Sequence, residues 1–248
     1  MNIHITGMGW VYNSCMGYKN NIQEFDSKKN LPSITRKGIL KEPYKPLGRM
    51  DDFSKVGFAA IVFAMQDAKR HTAPHKNTAI IASSSTGCLE TDLKYQATLL
   101  RENNTFPSPA IFAYTLPSCF LGEASIFFGL TGENFIINEE NTTGMTGLGM
   151  AVDLLELQQA DMVLCGINNS EINNFEDGTN FIKSGAVFFL LENKKTKRTG
   201  SYGELHLNSS NNEFYFQKNT QKDNHDVNPE SKIDNLYNLA QKCLKRKI

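Results

Sequence analysis

The sequence predicts an α/β fold with a mixed, mostly parallel sheet and helices on its faces. Short apolar segments rich in β-branched residues alternate along the chain with longer amphipathic segments, and this alternation is typical of sheets with parallel strands. The uninterrupted apolar segment 184–193 (SGAVFFLLEN) further indicates a strand that is buried on both faces. A chain of 248 residues is long enough to bury the sizeable core that such a fold requires.

The predicted elements follow one another regularly through the first part of the chain. Residues 2–12 (NIHITGMGWVY) alternate apolar and β-branched residues and then turn at two glycines, which predicts a first strand. Residues 51–69 have apolar side chains at helical spacing behind two aspartates that suit the positive start of a helix. Further strands are predicted over 78–86, 133–138, 161–168 and 184–193, and further helices over 88–103 and 142–159.

The last fifty residues change in character. The segments GELHLNS and NEFYFQK are predicted to pair as a hairpin, and a final helix is predicted within ESKIDNLYNLAQKCLKR. We therefore divide the chain into a domain over residues 1–200 and a hairpin and helix extension over residues 201–248 that packs on the same domain.

Composition excludes several classes of function. Lys+Arg and Asp+Glu both number 26, so no net charge favours nucleic acid or an anionic membrane. The five cysteines and five histidines are scattered, so neither a disulfide framework nor a metal site is expected, and no cofactor motif is present. The most apolar stretch, 111–130, contains Pro117 and Glu123 and is expected to be buried core rather than a membrane span. With no basic leader before the first strand, a cytoplasmic protein is expected.

Residues 138–151 (NEENTTGMTGLGMA) form the motif with most chemical interest. They predict a strand end, a tight turn and a helix of small residues, which is how a fold presents a side chain at a helix N-terminus. Asn141 lies at the entry and is expected to cap the helix, a role worth about 1 kcal/mol over alanine. Glu139 and Glu140 point in opposite directions as strand neighbours, so we expect them to stabilise the helix start by charge rather than to share a substrate.

Five segments, taken in order, resemble the N-terminal half of β-ketoacyl synthases, the condensing enzymes of fatty-acid and polyketide assembly. Those segments are ITGMGWVYNSCMGYKNNIQEF, GRMDDFSKVGFAAIVFAMQDA, TLPSCFLGEASIFFGLTGEN, NEENTTGMTGLGMAVDLLELQQADMVLCG and SGAVFFLLEN. The resemblance implies a thiolase-like half fold. It also implies that residues 138–151 are the family's nucleophile elbow.

Three departures from that family bear on function. The elbow cysteine that accepts the acyl chain is matched here by Asn141, and a carboxamide offers no thiolate. Between Cys165 and Ser184 the sequence has a short polar loop where the family carries a longer insertion with a gating aromatic residue. The family's catalytic histidines and oxyanion loop belong to a C-terminal half that would begin near Ile248. We therefore expect no condensing activity from this chain.

The resemblance implies a non-catalytic partner subunit of a full-length ketosynthase, similar to the chain length factors of polyketide, aryl polyene and fatty-acid-type biosynthesis. Such a subunit closes the acyl tunnel of its partner and meets the acyl carrier protein indirectly or transiently. Ile111 and Phe112 match tunnel-bottom positions that reach across the dimer interface, and Ser118, Cys119 and Phe120 would lie along it. All five are also compatible with ordinary core or helix-crossing positions.

Two alternatives stay open. Cys88 or Cys119 would serve as the nucleophile of a stand-alone acyltransferase or thioesterase, because Cys88 follows the turn SSSTG at a helix start, a position that lowers a thiol pKa. A scaffold that binds an acyl carrier protein without a ketosynthase would instead use a basic cluster. That cluster comprises Lys28, Lys29, Arg36, Lys37, Lys41, Lys45 and Arg49.

Overall fold

The structure is a computed structural model that describes residues 3–12, 15–18, 31–72, 74–100, 106–170, 184–193, 201–208, 213–218 and 231–244. Its helices are α1 (Arg36–Ile39), α2 (Asp52–Asp67), α3 (Leu89–Leu99), α4 (Pro109–Phe112), α5 (Cys119–Phe128), α6 (Met145–Glu156) and α7 (Leu236–Leu244), with a 3₁₀ turn at Lys45–Gly48. Its strands are β1 (Ile3–Tyr12), β2 (Cys15–Gly17), β3 (Thr78–Ser84), β4 (Asn134–Asn138), β5 (Met162–Asn169), β6 (Gly185–Asn193), β7 (Gly203–Asn208), β8 (Glu213–Lys218) and β9 (Ser231–Lys232). The predicted short loop before Ser184, together with Lys28 and Lys29, lies outside these residues.

The described strands form one mixed sheet in the order β4-β3-β5-β6-β1-β7-β8-β9, with β2 paired to β1. Parallel pairing within this part of the chain joins β3 to β4 and β3 to β5, while the remaining pairs are antiparallel. The sheet is mixed as predicted, but its parallel share is smaller than the sequence suggested. The reason is that β6 begins at the edge where β5 ends and returns alongside it from Asn169↔Gly185 to Met162↔Glu192.

The two faces of the sheet are covered by different helices. Helices α2 and α5 pack on one face, and α6 and α7 pack on the other. Alternate residues of the central strands point into the two cores, so that Leu164 belongs to the first and Cys165 to the second. This arrangement explains why β5 and β6 are almost continuously apolar, as expected for strands buried on both faces.

Helix α2 lies unusually close to β1. A side chain at Gly9 would overlap the backbone of Ala60 and Ala64, and a side chain at Gly7 would overlap the backbone oxygen of Ala64. These glycines therefore let the helix rest directly on the strand. The helix begins with Asp51, whose carboxylate accepts a hydrogen bond from the Ser54 N–H at 2.9 Å.

The C-terminal end of α2 is fixed to the sheet by polar contacts. The Asp67 carboxylate accepts hydrogen bonds from the Met8 N–H at 3.0 Å and the Tyr202 hydroxyl at 2.6 Å. Just beyond the helix, the Arg70 guanidinium forms an ion pair with Glu192 of β6 at 2.9 Å, and both side chains are largely buried. Charged groups with so little exposure require such partners, so these contacts fix where α2 ends against β1 and β6.

The predicted C-terminal hairpin is confirmed. Strands β7 and β8 pair from Gly203↔Lys218 to Asn208↔Glu213, and β7 also pairs with β1. The far edge of the sheet is the two-residue β9, where Lys232 forms an ion pair with Glu213. The boundary at residue 200 stays a prediction.

The described residues contain neither a helix that could span a membrane nor a cluster that could hold a metal ion. Among them, no helix combines the length and apolar character needed to cross a membrane. The same residues hold no group of three or more His, Cys, Asp or Glu side chains placed to bind a metal ion.

The contact between β1 and α2 yields a stability prediction. Gly9→Ala should lower the free energy of unfolding by about 3 kcal/mol, because two backbones must separate to admit one methyl group. Gly122→Ala is the control, since no atom lies within 4 Å of the added carbon, and in a helix it should raise stability by about 0.5 kcal/mol. Urea denaturation measures both variants. Equal effects would show that the close approach is not a constraint.

Candidate functional site

The predicted elbow is present between β4 and α6. After β4 ends, the Thr142 N–H donates to the Glu139 carbonyl oxygen at 3.1 Å, which closes a tight turn. Thr142 has a φ of 33° and Gly144 has a φ of 74°, both in the left-handed region. The chain therefore turns twice before the helix begins at Met145.

Asn141 does not cap this helix, and the prediction that it would is wrong. The residue at the cap position is Gly144, and Asn141 is exposed on the turn. Because two left-handed residues delay the helix, it begins four residues after Asn141 rather than directly after it. A carboxamide is thus displayed at the tip of the elbow without a capping role.

Glu139 takes the place of the expected cap. Its carboxylate accepts hydrogen bonds from the Gly144 N–H at 2.7 Å and the Thr146 N–H at 3.0 Å, and from the Thr143 hydroxyl at 3.5 Å. This confirms the predicted stabilisation of the helix start by a carboxylate, but through direct hydrogen bonds and by one of the two glutamates. Glu140 is exposed.

Helix α7 closes the inner side of the elbow. The Leu236 N–H donates to the Thr143 carbonyl oxygen at 2.9 Å. The Leu236 side chain is completely buried, and a side chain at Gly144 would overlap both Leu236 and Ile167. The turn is therefore held on one side by Glu139, which directly follows β4, and on the other side by Leu236 of α7.

The predicted interface residues separate into surface and core. Phe112 is 60% exposed, Ser118 is exposed, and Ile111 and Cys119 are half-buried. The Cys119 thiol donates to the Ala113 carbonyl oxygen at 3.1 Å, which holds the turn before α5.

Phe120 does not lie on a surface, and its predicted place along an interface is wrong. Its ring is completely buried and packs edge-on against Phe53 of α2 and Phe188 of β6. Phe120 is therefore a core residue that joins α5 to the sheet.

The structure adds apolar surface that the motifs did not identify. Phe135 on β4 is 38% exposed and Ile126 on α5 is 76% exposed. A larger set lies on α3, α4 and the segments that follow these helices, and comprises Leu93, Leu99, Leu100, Phe106, Phe112 and Leu116. The sequence did contain a signal for this surface. Leucines occur on the polar side of the amphipathic segment 88–103, where a helix that faces only water does not need apolar side chains.

Cys88 is not an activated thiol, contrary to the prediction. Burial raises its pKa to about 12, and the carboxylates of Asp92 and Asp51 act in the same direction. The Asp92 oxygens lie 3.8 and 3.9 Å from the sulfur. Burial also raises the pKa of Cys119. Neither cysteine has the electropositive setting of a nucleophile.

The basic cluster is partly described. Lys37, Lys41, Lys45 and Arg49 are exposed, and Arg36 is half-buried. Arg49 also lies 3.5 Å from Glu123. The cluster is compatible with a solvated surface, and its binding of a carrier protein stays a prediction.

The mixed sheet between two helical layers, with a strand–turn–helix elbow at its edge, defines a ketosynthase-type protein of thiolase-like fold. Residues 37–178 match the family model described as the β-ketoacyl synthase, N-terminal domain. The chain therefore belongs to the β-ketoacyl synthase family.

Comparison with known proteins supports this assignment. A 3-oxoacyl-[acyl-carrier-protein] synthase 2 from Vibrio cholerae is 28% identical over an alignment of 155 residues, and the alignment covers 59% of this chain and 37% of that protein. The chain thus spans little more than a third of this curated relative.

Solved structures share the fold. The ishigamide ketosynthase/chain length factor matches with a TM-score of 0.63 and 15% identity over 83% of this chain and 66% of that one. A ketosynthase in complex with its chain length factor from Xenorhabdus doucetiae matches with a TM-score of 0.57 and 18% identity. The shared part is 77% of this chain and 79% of that one.

The corrected cap gives a direct prediction. Glu139→Ala should lower the free energy of unfolding by about 1–2 kcal/mol, because the N–H groups at the start of α6 lose their acceptor. Asn141→Ala should change it by less than about 0.5 kcal/mol, since an exposed turn residue is removed. Denaturant unfolding of both variants decides between them. A larger loss for Asn141→Ala would restore the amide as the cap.

The thiol assignment is tested by alkylation. At pH 7.5 iodoacetamide should modify Cys88 far more slowly than it modifies glutathione, because the thiolate forms only as the pH approaches the raised pKa of about 12. The rate should keep rising with pH up to at least pH 9, as followed by peptide mass spectrometry. An alkylation rate that levels off near neutral pH would identify Cys88 as an activated thiol and would favour the stand-alone acyltransferase or thioesterase.

Proposed function

We propose that this protein is a non-catalytic subunit, similar to a chain length factor, that pairs with a full-length ketosynthase. It would close the acyl tunnel of that partner in polyketide, aryl polyene or fatty-acid-type biosynthesis. The observation that carries the proposal is Asn141, because a ketosynthase-type elbow here displays a carboxamide that cannot form an acyl thioester. On this proposal the pair works in the cytoplasm, and the acyl carrier protein is met through the ketosynthase.

The chemistry of the remaining thiols supports a non-catalytic role. Cys88 is buried, and the raised pKa values of Cys88 and Cys119 leave little thiolate at neutral pH. The stand-alone acyltransferase or thioesterase therefore has no activated cysteine in either place where it was expected.

The open edge of the sheet supports a protein partner. Strand β4 is an outer strand of the described sheet and pairs on its inner side with β3. A strand in that position offers backbone N–H and C=O groups to a further strand. The exposed side chains of Phe135 and Ile126 lie on β4 and on the adjacent α5. The Asn134 amide donates to the Ser125 hydroxyl at 3.1 Å and ties these two elements together. A backbone edge with apolar flanks suits another folded chain.

A polar cluster holds the neighbouring interface segment in place. The Glu123 carboxylate of α5 accepts hydrogen bonds from the Tyr44 hydroxyl at 2.8 Å and the Tyr114 hydroxyl at 3.0 Å, and lies 3.5 Å from Arg49. Tyr114 belongs to the turn between α4 and α5, two residues after the exposed Phe112. A surface fixed in this way loses little conformational entropy when a partner binds.

The nature of the partner is suggested by the solved relatives. In the Xenorhabdus doucetiae complex a ketosynthase is bound to its chain length factor. Ile111, Phe112, Ser118 and Cys119 remain the proposed residues at the interface and acyl tunnel.

The proposal is tested by co-expression with a full-length ketosynthase from the same genome, followed by native mass measurement on a sizing column. A one-to-one complex is expected. Phe135→Asp should weaken it at least about tenfold in Kd, because a charge would be buried in the contact.

Leu207→Asp is the matched control. Leu207 is 37% exposed, nearly as much as Phe135, but it lies on β7, far across the sheet, and its substitution should leave the Kd unchanged. Absence of any complex would refute the partner-subunit proposal. Equal weakening by both substitutions would refute the β4 edge as the docking surface.

A further inference from the structure

We infer that Glu139 closes this elbow to acyl chemistry, independently of Asn141, by holding the backbone donors at the start of α6 with its carboxylate. The inference rests on the proposed non-catalytic function and assigns part of it to one side chain. On this inference two separate features prevent acyl transfer at the elbow: the absence of a thiol at position 141 and the carboxylate of Glu139.

Three backbone donors at the helix start are bound by nearby acceptors. The Gly144 N–H and the Thr146 N–H donate to the two carboxylate oxygens of Glu139, at 2.7 and 3.0 Å. The Met145 N–H between them donates to the Thr143 hydroxyl at 3.3 Å, and that hydroxyl is itself 3.5 Å from Glu139. Three successive backbone donors are thereby bound within the chain.

These donors are the groups that an active elbow requires. N–H groups at a helix start stabilise a thiolate or a developing oxyanion, both by hydrogen bonds and by the positive end of the helix dipole. With the carboxylate in place, a second anion would meet like charge instead of free donors. Glu139 therefore acts as a built-in anion at this position.

The arrangement cannot relax by a small shift of the helix start. The Leu236 N–H holds the Thr143 carbonyl oxygen at 2.9 Å, and the buried Leu236 side chain lies against Gly144 and Ile167. Moving Gly144 away from Glu139 would push it into α7. The position of the carboxylate is thus fixed by packing on the opposite side.

It follows that Asn141→Cys alone restores a thiol but not its surroundings. The new thiol would stand on an exposed turn, beside a carboxylate that already holds the helix donors. It should behave as an ordinary cysteine and add no condensing activity.

The thiol at position 141 can report on Glu139 directly. Four variants are compared: Asn141→Cys alone, and the same change combined with Glu139→Gln, Glu139→Ala or Glu140→Gln. Iodoacetamide rates at residue 141 are followed at pH 7.0 by peptide mass spectrometry, which separates this site from the natural cysteines. Glu139→Gln removes the charge and keeps one amide oxygen that can accept a helix N–H group, and circular dichroism checks that the fold is retained.

The Glu139→Gln background should raise the rate about fivefold to tenfold, where tenfold corresponds to a fall of one unit in the thiol pKa. Glu140→Gln removes an equal charge from the next residue, whose side chain is exposed, and should change the alkylation rate by less than twofold. A Glu139→Ala background, which also frees the donors, should react at least as fast as Glu139→Gln. Equal rates in all backgrounds, or a larger effect of Glu140→Gln, would overturn the inference.

This experiment uses the chain by itself, so its outcome is independent of any ketosynthase. Failure to form the heterodimer would remove the proposed function and leave the alkylation result standing. Equal alkylation rates would remove the role of Glu139 and leave the heterodimer standing.

Discussion

The close contact of α2 with β1 is the constraint on which the rest of the structure depends. Gly9 lets the helix backbone rest on the strand, and α2 then supplies most of the helical side of the first core. Because α2 is fixed at Asp67 to β1 and to Tyr202, its position also determines where β7 joins the sheet. The elbow and the open strand β4 are therefore supported by a packed frame whose geometry depends on Gly7 and Gly9.

The elbow combines the shape of a nucleophile site with a carboxamide at its tip. The strand, the turn and the helix remain in order, but the donors at the helix start are bound by Glu139 and the tip carries Asn141. A carboxylate at that point stabilises the helix, whereas a reactive thiolate needs the same donors for itself. The same N–H groups can therefore either stabilise the elbow by binding Glu139 or activate a thiol at its tip, but they cannot do both at once.

Local features of the fold could be predicted from the sequence. The helix predicted over 51–69 is observed as Asp52–Asp67, because its apolar residues and its Asp51 cap are close together in the chain. The β7–β8 hairpin was predictable for the same reason. The antiparallel direction of β6 was harder to predict from the sequence, because it depends on the edge at which the chain re-enters the sheet.

The errors at the candidate site come from features that residue propensities and apolar periodicity do not reveal. The capping role of Glu139 depends on two left-handed residues between it and the helix, which no propensity indicated. The raised pKa of Cys88 depends partly on Asp51, which arrives from α2. Phe120 was misplaced because α5 is apolar around much of its circumference, so periodicity did not reveal which side faces the core.

The two ends of the sheet are unequal, and this has a consequence for assembly. At one end β4 offers a five-residue backbone edge, while at the other β9 is two residues long and carries the Lys232–Glu213 ion pair. Short, charged outer strands resist the addition of another chain. Among the described strands, the longer outer edge is therefore that of β4, and a further strand added there would extend the sheet away from the C-terminal hairpin.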